Sequence, residues 1–380
     1  MDGATARLDL RLVPAALTCW AVTAAGILWQ VGGSIAAVIA ATTITAAGGW
    51  FGGRHDGEAD IRALRAGVVA VAVVGAGFAI AIGLRVDELR DHPIVERYGT
   101  VATVVVTPTE SPRSLSGSRT MFRATLKMLE GHEISGRTVV FASARFANLA
   151  AGQPVRFRAR IGAPTRRDLT VAVLSATGEP TLGEAAPILR VADHVRTGFG
   201  DAARAALPVD QAAMLPALVL GDTSTLTGQT TAEFRASGLT HLTAVSGANV
   251  TIVCGAVLLS AALVGPRVAV AFAALALVAF VVVVQPSASV LRAAVMGGIT
   301  LMAVVSHRRR QAIPVLSASV IVLMIAAPEL AVDVGFALSA SATAALVVLA
   351  PMWSRRLTGR GWPKPLADAV SVAVAAQLVT

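Results

Sequence analysis

The stretch GLTHLTAVSGANV, residues 238–250, sets a histidine, a serine and an asparagine at the mouth of an apolar run that continues to Val264. His241 and Ser246 are the residue types of a base and a nucleophile, and together they would make an intramembrane hydrolase. A nucleophilic serine, however, is presented by a strand-turn-helix context that AVSGAN lacks. A metal is the second chemistry open to His241, but it needs convergent ligands, and the chain contains neither HExxH nor CxxC. No cofactor is expected. Solvation is the third. Gly238 and Gly247 weaken a helix locally, while Thr240, His241, Thr243, Ser246, Asn249 and Thr251 supply donors and acceptors. His241 and Asn249 lie two turns apart and share a face that suits a water-lined wall. The competing account is that the hydroxyls bond back to the carbonyl one turn earlier and do nothing more.

Two further polar sites fall within apolar runs. In QPSASVLRAAVMGG, Arg292 is a full charge inside a span, preceded by Pro286, Ser287 and Ser289. Charges inside spans are costly and face protein or water, and broken backbone there is tolerated where it lines a cavity. The competing account is an arginine snorkelling to the interface. In DVGFALSASATAAL, Gly335, Ser339, Ser341 and Thr343 form a similar small polar face. The candidate lining of one shared path is therefore His241, Ser246, Gly247, Asn249, Ser287, Ser289, Arg292 and Ser339.

Outside the apolar runs, VRFRARIG puts Arg156, Arg158 and Arg160 on one face of a strand, because side chains alternate with period two. Three like charges in a row repel unless an anion lies across them, which suits a ladder that tracks phosphates. A solvated strand face is the bland alternative. Residues 98–178 hold eleven basic against four acidic side chains, a balance of +7 within a chain of +9. Aromatic partners for bases are scarce there (Tyr98, Phe122, Phe141, Phe146, Phe157), so backbone attraction is better supported than stacking.

The elements that must position these residues follow from composition. Charged residues make up 14% of the chain and hydrophobic ones 55%, against about 25% charged in a soluble domain, so the chain is a membrane protein. Spans need roughly 20 apolar residues. Candidates are Leu12–Trp29, Val31–Phe51, Ala66–Leu84, Leu239–Val264, Val268–Val284, Ser289–Val305, Ala312–Ala327 and Leu330–Pro351. A last stretch from Leu366 reaches Thr380 after too few residues to span, so a longer protein is expected. Basic residues (Arg7 and Arg11; Arg54, Arg62 and Arg65; Arg267; Arg308–Arg310; Arg355, Arg356, Arg360 and Lys364) fall in alternate loops. The positive-inside rule then makes the N-terminus cytoplasmic and puts Arg85 to about Ser237 outside. Cys19 and Cys254, the only cysteines, both lie in predicted spans.

Within that outer segment, alternating sequence predicts strands at 98–107, 120–128, 137–142, 155–161 and 169–176. The expected fold is a polytopic α-helical membrane protein with an inserted small extracytoplasmic β-barrel, OB-like, with a small β-sandwich as the alternative. Ile188, Val191, Ala192, Val195, Phe199 and Ala203 form a helical stripe, with Arg190, Arg196 and Arg204 away from it. The stripe fits a membrane surface or the transmembrane bundle equally well. The parts are 1–84, transmembrane; 85–180, the barrel; 181–237, amphipathic helices; and 238–380, the channel.

LPALVLGDTSTLTGQTTAEFRASGLTHLTAVSGANV, then QPSASVLRAAVMGGITL, VDVGFALSASATAAL and SVAVAAQLVT, resemble in order the ComEC family of DNA-uptake channels. The resemblance covers Leu207 to the chain end, and upstream it is architectural only. It implies an inner-membrane channel that passes one DNA strand inward, guided by the OB-like domain, with no enzymatic activity in this chain. It implies single-stranded DNA and the lipid bilayer as partners, with a DNA receptor outside and a motor ATPase inside. The family's first segment corresponds to Gly238, His241, Ala244, Ser246, Gly247 and Val250, its second to Ser287, Ser289, Arg292 and Ala293, its third to Gly335, Phe336, Leu338 and Ser339. Asn249 stands where many members have histidine. The metal-binding nuclease domain that often ends such proteins has no counterpart motif here. With no GxxxxGK[ST] motif, directional transport needs an outside motor or gradient. A small-anion transporter using Arg292 is the alternative function.

Overall fold

The structure, a computed structural model, describes residues 9–40, 43, 59–115, 119–223, 226–237, 245, 247–261, 263–305 and 311–377. The apolar runs are helices: α1 (Val13–Trp29), α2 (33–40), α3 (Ala59–Arg90), α7 (Gly247–Ala261), α8 (Pro266–Val284), α9 (Ala288–Val305), α10 (Ala312–Ala326), α11 (Val334–Gly359) and α12 (Lys364–Gln377). The polar segment before α7 supplies α4 (Pro187–Ala206), α5 (Val209–Leu220) and α6 (Gly228–Ala236). Among the described residues four helices, α3, α8, α9 and α11, are long and apolar enough to cross a membrane, and α1, α5, α7 and α10 are shorter apolar helices. The protein is a polytopic helical membrane protein.

By internal contacts the chain divides into two units, residues 1–88 with 295–380, and residues 89–294. In the first, Trp20 of α1 donates its indole N–H to the Ala331 carbonyl at 2.9 Å and meets Phe336 edge to face at 5.2 Å. The span expected over Leu330–Pro351 is divided differently. Residues Pro328–Val332 form a 3-10 turn, and Asp333 then caps α11 by accepting the Phe336 N–H at 2.8 Å. The carboxylate satisfies an amide the helix cannot, so α11 begins after it. Pro351 does not end the helix, which packs on α12 and ties Ser354 to Asp368.

In the second unit the alternating segment forms β1 (Val101–Pro108), β2 (Arg113–Leu115), β3 (Arg119–Leu129), β4 (His132–Ser143), β5 (Val155–Gly162) and β6 (Thr170–Leu182). β1 pairs antiparallel with both β3 and β5, β4 runs parallel to β6, and β6 pairs antiparallel with β5. With the β3–β4 hairpin these pairings close a five-stranded barrel, and β2 adds to β3 alone. The barrel buries Val104, Val106, Phe122, Leu126, Val140, Phe157, Ile161 and Leu174. Phe146 and Phe157 meet edge to face at 5.2 Å inside it, an arrangement favoured by their quadrupoles. Gly136 marks a close approach of β4 to β6, since a Cβ there would stand 2.6 Å from the Val171 side chain.

Candidate functional site

β5 alternates as its sequence requires. Val155, Phe157, Ala159 and Ile161 are buried, while Arg156, Arg158 and Arg160 are exposed. The three arginines oppose Val105, Thr103 and Val101 on β1, and Arg156, Arg158 and Arg160 oppose Thr181, Thr177 and Ser175 on β6. No carboxylate faces them across either ladder, and none of the three has an ion pair among the described residues. Adjacent arginine positions are about 7 Å apart along the strand. The result is a row of cations flanked by hydroxyls, open to an extended anion. Neighbouring charges differ: Arg113 pairs with Glu110 at 3.1 Å and Arg145 with Glu179 at 2.7 Å. Of the aromatic residues, Phe122, Phe146 and Phe157 lie in the core. Tyr98 donates its hydroxyl to the Val171 carbonyl at 2.6 Å, and Phe141 lies under the Arg119 guanidinium at 5.8 Å. Few ring faces are left for bases, so the surface offers charge and hydroxyls.

The intramembrane candidates fall into three groups. His241 and Ser246, with Gly238, Thr240 and Thr243, lie outside the described residues. Gly247, Asn249, Ser287, Ser289 and Arg292 lie in the barrel-containing unit, and Ser339 lies in the other. Within the former, the first and second segments come together. A Cβ added at Gly247 would lie 3.7 Å from the Ala293 Cβ, and Val245, Leu220, Val284 and Val290 form one buried cluster. Asn249 donates its amide to the Leu218 and Val219 carbonyls at 3.1 and 3.4 Å, occupying groups the last turn of α5 leaves unbonded. Ser287 begins α9, its hydroxyl accepting the Val290 N–H at 3.4 Å. Ser289 is half-buried on the next turn. Arg292 is only 6% exposed, so its guanidinium is held inside protein. Several hydroxyls do bond back one turn: Thr251 to Gly247, Ser341 to Ala337 and Thr343 to Ser339. Among the described residues no three His, Cys, Asp or Glu converge as a metal site.

One cluster escaped sequence reasoning. Arg196 of α4, expected on the polar face, is 8% exposed. Its guanidinium donates to the Val283 and Val284 carbonyls at 3.0 and 3.4 Å and pairs with Asp222 at 3.4 Å. A cation thus caps the C-terminal end of α8, where carbonyls are unbonded and the helix dipole is negative. Asp222 follows Gly221, whose positive φ of 69° ends α5. Beside them Gln285, also at positive φ, accepts from the Ser111 N–H at 3.0 Å and donates to its hydroxyl at 2.8 Å. The α8–α9 turn is therefore bonded to the loop between β1 and β2. The Gly-Asp pair after an apolar helix was the available signal, but nothing local names its partner. The apolar stripe of α4 is split, with Ile188, Val191 and Val195 exposed and Ala192 and Ala203 buried.

Residues 218–380 match the family described as Competence protein. This part of the chain, less than half of it, is similar to that family. The match covers most of the stretch whose ordered segments resemble the ComEC family and bears that resemblance out. No curated protein and no solved structure matches the chain. The matched region begins on α5 and takes in Asp222, Gln285 and Arg292, and the Gln285–Ser111 hydrogen bonds join it to the barrel.

Proposed function

We propose that this protein is an inner-membrane channel for the uptake of single-stranded DNA, with the barrel as an extracytoplasmic guide. The observation that carries the reading is the row of Arg156, Arg158 and Arg160, free of carboxylate partners, on a barrel bonded to the competence domain. DNA carries one phosphate per nucleotide, and each one neutralised releases counterions. The barrel's ring order, with its first strand joined to the second and fourth of the five and the third parallel to the fifth, supports an OB-like fold, a frequent oligonucleotide binder. The alternate basic loops support a cytoplasmic N-terminus and an outer barrel. Arg292, buried within α9, attracts the strand into the path, and a receptor outside and a motor ATPase inside complete the system. The chain itself conducts and does not catalyse.

Replacement of Arg292 by alanine tests the channel against a small-anion transporter. In cells whose only copy carries Arg292→Ala, import of labelled DNA is expected to fall at least about tenfold, the scale of one lost charge-assisted contact. Unchanged DNA import with lost small-anion flux would favour the transporter. Under the hydrolase reading Ser246→Ala would abolish activity, whereas a lining serine tolerates alanine.

A further inference from the structure

α1, α3 and α10 enclose a half-open groove of about 390 Å³, within the range of roughly 300–1,000 Å³ typical of small-molecule sites. Its walls are apolar, with Phe78 and Ile82 from α3 and Met324 and Ile325 from α10. The Thr23 hydroxyl is consumed by the Cys19 carbonyl at 2.7 Å. Arg85 stands at one end, directly after the apolar run Ala66–Leu84, beside Pro328, which follows the end of α10. At the end of an apolar run long enough to span, that position is the one expected to meet the head groups. Arg85 is exposed and has no hydrogen bond or ion pair among the described residues. The nearby Asp87 carboxylate accepts the Gly33 N–H at 2.7 Å. Gly77 lines the groove, and a Cβ added there would meet nothing within 4 Å, so a larger side chain has room to enter the space.

The geometry points to a binding site for an anionic glycerophospholipid, with an acyl chain in the groove and the phosphate on Arg85. An apolar channel ending in a single unpaired cation matches that ligand in shape and charge, because the tail needs no polar partner and the phosphate needs one. The site belongs to the membrane-embedded part of the chain and is independent of any role in DNA uptake.

The test uses the full chain in nanodiscs of equimolar phosphatidylglycerol and phosphatidylcholine, followed by detergent extraction and mass spectrometry of retained lipid. The chain is expected to retain phosphatidylglycerol about fivefold over phosphatidylcholine, the scale of one basic residue at a lipid surface. Arg85→Gln should bring that ratio to about one while tail binding persists. Gly77→Leu fills the groove and should lose both lipids. Gly67→Leu on the same helix, where an added Cβ also meets nothing within 4 Å but no groove lies, should retain them. Equal retention of the two lipids, an unchanged ratio in Arg85→Gln, or retention of lipid by Gly77→Leu would each overturn the site.

Discussion

Arg196 holds three partners at once, two carbonyls of α8 and the Asp222 carboxylate. Replacing it with methionine would leave the Val283 and Val284 carbonyls without their donor and Asp222 without the guanidinium. Breaking a buried pair costs about 3–5 kcal/mol, and because the Asp222 side chain is 25% exposed the expected loss is nearer 2 kcal/mol. Thermal unfolding in detergent measures it, with Arg190→Met, exposed on the same helix, expected within about 0.5 kcal/mol of the parent. Tyr98, the chain's single tyrosine, gives a pH readout. Burial pushes its phenol up from the usual value of 10.0. The neutral form is thus favoured by folding, and its contribution is complete below pH 10 and lost as pH rises through the higher folded value. Tyrosinate absorbance should therefore rise at higher pH in the folded protein than in the unfolded chain, with barrel stability falling over that interval; coincident titrations would contradict burial of the Tyr98 phenol.

Elements divide according to whether their partners are local. β5 was legible because alternation is a property of one strand, and the five long strands fall close to their predicted places. β2 was missed because three residues, Arg113–Leu115, show no alternation. The buried side of α4 was not legible either. Its apolar stripe suggested one face, yet Arg196 is buried by carbonyls 87 residues away, and no periodicity within α4 encodes that. The segment around His241 lies outside the described residues, and the described helix after it is Gly247–Ala261. The bond between the β1–β2 loop and the α8–α9 turn was equally invisible, since Gln285 and Ser111 lie 174 residues apart. Gln285→Leu removes both of its hydrogen bonds, at roughly 1 kcal/mol each. Amide exchange at Ser111 should accelerate by about tenfold, while exchange in the core of β4 stays unchanged. Exchange at Ser111 that did not move would show that the loop is held by other contacts.

At the scale of the whole molecule, charge is distributed by function. Arginines fall in alternate short loops between the apolar runs, and the +7 balance of residues 98–178 gathers on a barrel whose core is mainly apolar. Orientation of helices in a bilayer does not require that second concentration, and no local acid neutralises its β5 row. The proposed function accounts for it by a polyanion drawn to the barrel. Salt titration of single-stranded oligonucleotide binding by the full chain in nanodiscs, with and without Arg156→Glu, Arg158→Glu and Arg160→Glu together, tests this most directly. Three phosphate contacts predict that log Kd climbs with log salt with a slope smaller by about 2 in the triple variant, alongside much weaker binding at low salt. Binding that ignores salt, or that survives the triple substitution unchanged, would contradict the account.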